Sequence, residues 1–294
     1  MDFSQYQEKA LISDQVPKGT ENAIIVPLLG LVGEAGSLLT EYKKLLRDKD
    51  AHKNFKNCVT EELGDLLWYV ANVASKFDLD LEEIAENNLK KCCDRWGLKE
   101  TQIDGKATSY NFDREFSRQE RLPRRIEVEI TEFSQDSSVK MKALIDGEQI
   151  GSVLTDNSYD MDGYRFHDVF HFSYAAVLDW SPVIRSNLKC KRKSDHSIDE
   201  VEDGGRAIAI EEGISALVFS YAKEHNFLEG VSTIDEPLLK TIKAMTSHLE
   251  VSKCSPHDWQ KAIIMGYQVW RQVKEHQGGI VIVDIDASCI SYQS

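Results

Sequence analysis

The period of the hydrophobic pattern changes once along this chain, and that change limits the fold more than any other feature. Up to Gly97 apolar residues recur every three or four positions; from Arg125 they alternate with polar ones. Four helices are expected in the first part, at residues 3–12, 24–48, 54–77 and 80–97. Pro27 suits a first helical turn, Asp80 an N-cap and Gly97 a helix stop. Short connections between long amphipathic helices predict an antiparallel bundle. Residues 99–125 are polar with little periodicity and read as a linker. Alternating segments at 125–133 and 138–154 read as strands, with Asp146-Gly147 as a tight turn. Helical spacing returns at residues 163–180, 206–227 and 257–276, with a charged loop at 189–205. A last strand is expected at 278–288. The predicted fold class is mainly α: a helical bundle over 1–98, a linker over 99–125, and an α+β C-terminal domain over 126–294 with a small antiparallel sheet.

Composition narrows the classes of function. Apolar residues make up 41%, enough for a real core. The formal net charge is −14, which disfavours binding to a nucleic-acid backbone. The six cysteines include no C-x-x-C and fit neither a disulfide framework nor a zinc module, so a cytoplasmic setting is expected. The first residues lack a signal-peptide pattern, and no uninterrupted apolar run reaches the roughly 18 residues of a membrane span. No nucleic-acid or membrane partner is expected.

The stretch LLGLVGEAGSLL, residues 28–39, holds one charge, Glu34, among three glycines. Each glycine costs a helix roughly 1 kcal/mol against alanine. An ionised carboxylate beside a packed interior is costly unless paired. On a helix Glu34, Ser37 and Glu41 share one face; on the next, Glu61, Glu62 and Asp65 cluster. Two unit charges about 4 Å apart repel by roughly 4 kcal/mol at an effective dielectric of 20. Adjacent glutamates on a helix are ordinarily solvated. Facing carboxylate clusters on two apolar helices instead point to magnesium, a hard ion that prefers oxygen. The glycines then let a partner helix or a ligand approach the backbone.

GLVGEAGSLLTEYKK, EELGDLLWYVANVA and LEEIAENNLKKCCDRW together resemble the MazG-type nucleotide pyrophosphohydrolases of the all-α NTP pyrophosphatase superfamily. The resemblance covers residues 1–97. It implies Mg2+-dependent (Mn2+ as substitute) hydrolysis of a nucleoside triphosphate to the monophosphate and pyrophosphate. It also implies helical units that pair, as a homodimer or within one chain. The family's ligand pattern, Glu-x-x-Glu then Glu-x-x-Asp, falls on Glu34, position 37, Glu62 and Asp65. Position 37 here is Ser, a departure that puts the full metal count in question; Glu41 lies one turn further along. Glu61 is the candidate to orient or deprotonate the attacking water. Asn88, Lys91 and Arg95 fall on one face of the next helix and are the substrate-binding candidates, against the plain reading of a solvated basic helix end. Trp68 and Tyr69 read as core; Phe3 and Tyr6 are weaker candidates for a base pocket. The rival reading is a nucleotide-sensing or scaffold protein whose site is degenerate at Ser37.

The second half carries no motif of that specificity, yet it echoes the first. His167 and His171 stand at i, i+4, with Asp168 between them, and Glu211 and Glu212 lie on a later helix. The basic loop holds Lys189, Lys191, Arg192 and Lys193. His167, Asp168, His171, Lys191, Arg192, Glu211 and Glu212 make a candidate second site for a metal-triphosphate on a diverged unit. The plain alternatives are core-edge histidines and a solvated loop balanced by residues 199–203.

Overall fold

The computed structural model describes residues 1–16, 22–97, 110–135 and 138–293. Two compact units divide the chain, Met1–Cys93 and Asp94–Ser294.

The first unit is helical: α1 Phe3–Ile12, α2 Asn22–Asp48, α3 Phe55–Lys76 and α4 Leu81–Trp96, which runs past the boundary. Asp2 caps α1, its carboxylate accepting from the Gln5 N–H at 2.8 Å. Asp80 does the same for α4, accepting from Glu83 at 3.1 Å. Pro27 lies inside α2 rather than at its start. α2 packs along α3, and α1 packs on α3. Gly30 allows that approach: a Cβ there would stand 2.2 Å from the Tyr69 ring. Gly33 and Gly36 would meet nothing within 4 Å, so only the first of the three glycines serves a close helix contact. The buried apolar cluster is small: Ala10, Ala71 and Leu81, with Tyr6 and Trp68 against it. Trp68 Nε1 donates to Ser13 Oγ at 2.8 Å and to the Ala10 carbonyl at 3.2 Å.

Much of α2 stays uncovered. Ile25 is 48% exposed, Val32 71%, Leu39 70% and Leu46 63%, a stripe that repeats every seven residues. Residues 22–51 are long and apolar enough to cross a membrane by length and composition alone. The sequence reading missed this because Glu34 and three glycines interrupt the apolar run without lowering its mean much.

The second unit is α+β. Strands β1 Arg125–Gln135, β2 Ser138–Ile145, β3 Glu148–Leu154, β4 Gly278–Asp284 and β5 Cys289–Gln293 form an antiparallel sheet in the order β3-β2-β1-β4-β5. Asp146 and Gly147, both at positive φ, make the β2–β3 turn as expected. Along β1, Ile126, Val128 and Ile130 are buried and Glu127 and Glu129 are exposed, the alternation that sets one face inward. Helices follow: α5 Asp168–Leu178, α6 Pro182–Asn187, α7 His196–Val201, α8 Gly205–Glu224, α9 Glu236–Met245 and α10 Pro256–His276. α5 is buried along its whole length and packs with α10 against β4 and β5. A box of reciprocal bonds between Ser255 and Asp258 starts α10. Trp180, Trp270, Phe166, Phe170 and Tyr267 belong to one continuous core. Cys190 and Cys254 are buried in it, whereas Cys92 is exposed.

Three expectations need correction here. The charged loop at 189–205 contains α7, capped by Asp195. α6, α9 and β5 were not anticipated. The described part of the expected linker, from Tyr110 on, is packed into the second unit. Leu122 is buried, Tyr110 Oη donates to Asp258 at 2.5 Å, and Asp113 pairs with Arg185 at 2.7 Å. Residues 99–109 of that expected linker lie outside the described residues.

Candidate functional site

α2 and α3 bring three carboxylates together. Glu34 comes from α2, Glu62 and Asp65 from α3, one turn apart, and an oxygen of each lies within 4.8 Å of the others. Glu34 and Glu62 are half-buried, Asp65 exposed. Burial, with the charges of Glu34 and Asp65, raises the Glu62 pKa above the ordinary glutamate range. Such a cluster repels itself and gains from a cation. Its all-oxygen donor set, open on the Asp65 side, fits a hard divalent ion that keeps waters.

The neighbouring candidates fall differently. Ser37 is half-buried on the same helix, and Glu61 is exposed beside Glu62. Glu41 does not join the three carboxylates. It accepts from Lys44 Nζ at 2.5 Å and is 3.0 Å from His52 Nε2, and the bond from Lys44 holds its pKa below the ordinary range. With Lys44 and His52 as partners, Glu41 has less need of a metal; His52, whose role the sequence reading missed, lies eleven residues away. Tyr6 packs near Asp65, and burial together with that charge raises its phenol pKa. Asn88 and Lys91 are exposed on α4. Arg95 falls in the second unit, where it donates to Gln260 Oε1 at 3.2 Å and to the Ile234 carbonyl. Contact with a triphosphate would require Arg95 to release those partners.

In the second unit the predicted residues separate into two groups. His167, Asp168 and His171, at the start of α5, bring ligand atoms within 4.8 Å of one another. Glu212 Oε2 lies 3.4 Å from His171 Nε2 and 3.7 Å from His167 Nε2. Glu211, its neighbour on α8, turns into the protein. It accepts from Ser181 Oγ at 2.6 Å, from the Val183 N–H at 2.8 Å and from His171 Nδ1 at 2.9 Å. Tyr164 stacks on His167 with ring centroids 4.4 Å apart, and burial pushes its phenol up to about 12. Tyr164 and Ser181 were missed; the only signal was a Tyr three residues before His167.

Arg192 overturns its expected role. It is fully buried, and all five of its N–H donors are used inside the fold, on Asp203, Glu250 and the Phe112 carbonyl. Lys191 lines a surface hollow of about 350 Å³ with Ser186, Lys189, Lys193 and Asp199. The basic run is therefore part structural anchor, part surface.

Residues 28–96 match the MazG nucleotide pyrophosphohydrolase domain, and residues 107–294 match the MazG C-terminal domain. The chain belongs to the MazG family. The Gene 37 protein of Mycobacterium phage L5 is similar, with 43% identity over 65 residues, 21% of this chain and 57% of that protein. The match thus spans little more than half of that relative's length. No solved structure matches the chain.

Proposed function

We propose that this chain hydrolyses a nucleoside triphosphate to the monophosphate and pyrophosphate, with Mg2+ held by Glu34, Glu62 and Asp65. The observation that carries this reading is the convergence of those three carboxylates from two helices. Magnesium bound there would withdraw electron density from the phosphoryl oxygens and offset the charge of the departing pyrophosphate. Water attacks the α-phosphorus, the bond to the bridging α–β oxygen breaks, and the water proton passes to a base. Glu61, exposed beside Glu62, is that base or its positioning group. Asn88 and Lys91 are the substrate contacts in this reading. Residues 1–98 form the hydrolase domain in this reading and 126–294 the accessory domain, in a cytoplasmic protein.

The test is pyrophosphate release over a nucleotide panel. Activity should vanish on chelation and return with magnesium or manganese. Glu62→Gln should lower turnover by a hundredfold or more while the chain stays folded. Undiminished turnover after thorough chelation would sink the mechanism.

Assembly is part of the proposal. The seven-residue stripe Ile25, Val32, Leu39 and Leu46 lies on the side of α2 opposite Glu34, and its repeat is that of a helix-pairing seam. We assign it to pairing with a second copy. Light scattering should give a dimer, and Val32→Asp with Leu39→Asp should give a monomer.

Ser37 favours a second reading, in which a site short of one carboxylate binds nucleotide without turning it over. Nucleotide binding by calorimetry with no pyrophosphate released would select it.

A further inference from the structure

We propose that His167, Asp168, His171 and Glu212 form a binding site for one divalent transition-metal ion in the second unit.

The spacing of the donor atoms is the first argument. His171 Nε2 to Glu212 Oε2 is 3.4 Å, His167 Nε2 to Glu212 Oε2 is 3.7 Å, and His167 Nε2 to Asp168 Oδ1 is 4.0 Å. The last two are too long for hydrogen bonds, and the first is long for one. Four donors about 2.1 Å from a tetrahedral ion are about 3.4 Å from one another. Three donor separations, 3.4 to 4.0 Å, lie near the edge of such a shell, and His167, Asp168 and His171 bring ligand atoms within 4.8 Å of one another.

The second argument is the orientation of the imidazoles. His167 Nδ1 lies 2.9 Å from the Tyr164 carbonyl, which can only accept, so Nδ1 carries the proton. His171 Nδ1 lies 2.9 Å from the Glu211 carboxylate. With both Nδ1 atoms occupied, Nε2 of each ring is left on the side of the cluster, that of His167 toward Asp168 and Glu212 and that of His171 toward Glu212. A ligating histidine ordinarily gives its other N–H to a carboxylate or a carbonyl in this manner. Glu211 is itself fixed by Ser181 and the Val183 N–H, so His171 is held from behind by a rigid group.

The third argument is an unmet need. His171 is fully buried, and its Nε2 has no hydrogen-bond partner. Buried polar atoms are rarely left in that state. An ion among the four side chains would satisfy it. The Glu212 side chain is 43% exposed, so the cluster reaches solvent on one side and keeps an entry path and an open coordination position.

Two imidazoles with two carboxylates select zinc, manganese, iron, cobalt or nickel over magnesium. The Glu34–Glu62–Asp65 cluster has only oxygen donors and the opposite preference. The competing arrangement is a metal-free ion triad, with a protonated His171 between Glu211 and Glu212.

The experiment uses the full chain after chelator treatment, titrated with Co2+ and followed by visible absorption, with Zn2+ as competitor. A Glu34→Gln/Glu62→Gln background removes the oxygen cluster, so the result does not depend on the first site. One equivalent of Co2+ should bind with the visible bands of a nitrogen-containing site and be displaced by Zn2+ but not by Mg2+. Glu212→Gln, at a partly exposed position, should weaken binding at least tenfold with circular dichroism unchanged, and His167→Gln should do the same. Absence of cobalt bands in that background, or unchanged affinity in both ligand variants, would overturn the site and leave the ion triad.

Discussion

The two units place their clustered carboxylates differently. In the first, Glu34, Glu62 and Asp65 face one another across α2 and α3, in a unit whose buried apolar cluster among the described residues is Ala10, Ala71 and Leu81. In the second, buried charges are answered from within. Arg192 meets Asp203 and Glu250, Arg165 meets Glu132 and Asp156, and Arg185 meets Asp113. On the reading proposed above, a metal ion would offset the repulsion in the first unit and a second copy would cover its apolar stripe. In the second, these arginine–carboxylate pairs are supplied by the chain itself. Stability in the first is thus expected to depend on solutes and concentration, and in the second on single internal partners.

The sharpest way to break this comparison is Arg192→Ala. Removing one member of a buried ion network leaves Asp203 and Glu250 uncompensated, a loss of about 3–5 kcal/mol. Denaturant unfolding should show it, and a shift below 1 kcal/mol would mean that water already reaches the network.

Asp179 gives a pH signature of similar size. Burial raises its pKa to about 6, although Arg124 at 2.7 Å opposes the shift. The unfolded value is about 3.9. A carboxyl group raised on folding favours the folded state below its unfolded pKa, and that advantage disappears as pH rises through about 6. The difference in stability between wild type and Asp179→Asn should therefore change by up to about 3 kcal/mol between pH 4 and 6, at 1.36 kcal/mol per pKa unit. A difference that stays flat over that window would place Asp179 in a wetter setting.

Glycine changes on α2 test the first unit. Gly30→Ala forces a methyl group into the Tyr69 ring and should destabilise by about 1–3 kcal/mol. Gly33→Ala meets nothing and should stabilise by about 1 kcal/mol through helix propensity. The same sign for both in thermal melts would deny the close packing of α2 on α3. The smallest effect is expected from Glu62→Gln without metal. Its melting temperature should rise slightly, because one of three repelling charges is gone, and excess magnesium should reverse the order of wild type and variant.

What could be read beforehand follows the range of the interactions involved. The four N-terminal helices are set by local periodicity, a cap at Asp80 and a stop at Gly97, and their expected limits lie close to those observed. Glu34, Glu62 and Asp65 stood out because one helical turn separates the last two and apolar residues surround the first. Arg192 was misread because its carboxylate partners lie 11 and 58 residues away. Glu211 and Glu212 looked alike in sequence. Successive helix positions point about 100° apart, so one is sealed against Ser181 and the other faces solvent. α6, with six residues, is too short to establish a period, and β5 was hidden by its position after a turn.

The buried thiols of the second unit have a practical consequence. Cys254 Sγ donates to the Leu178 carbonyl at 3.8 Å, and burial lifts its pKa well above the ordinary thiol range. Little thiolate forms there while the fold is closed, so alkylating reagents should leave Cys254 alone and modify the exposed Cys92 first. Delayed modification of Cys254 then times each opening of the core in native buffer. The chain carries its own clock for the breathing of the second unit, readable by mass spectrometry with no label introduced.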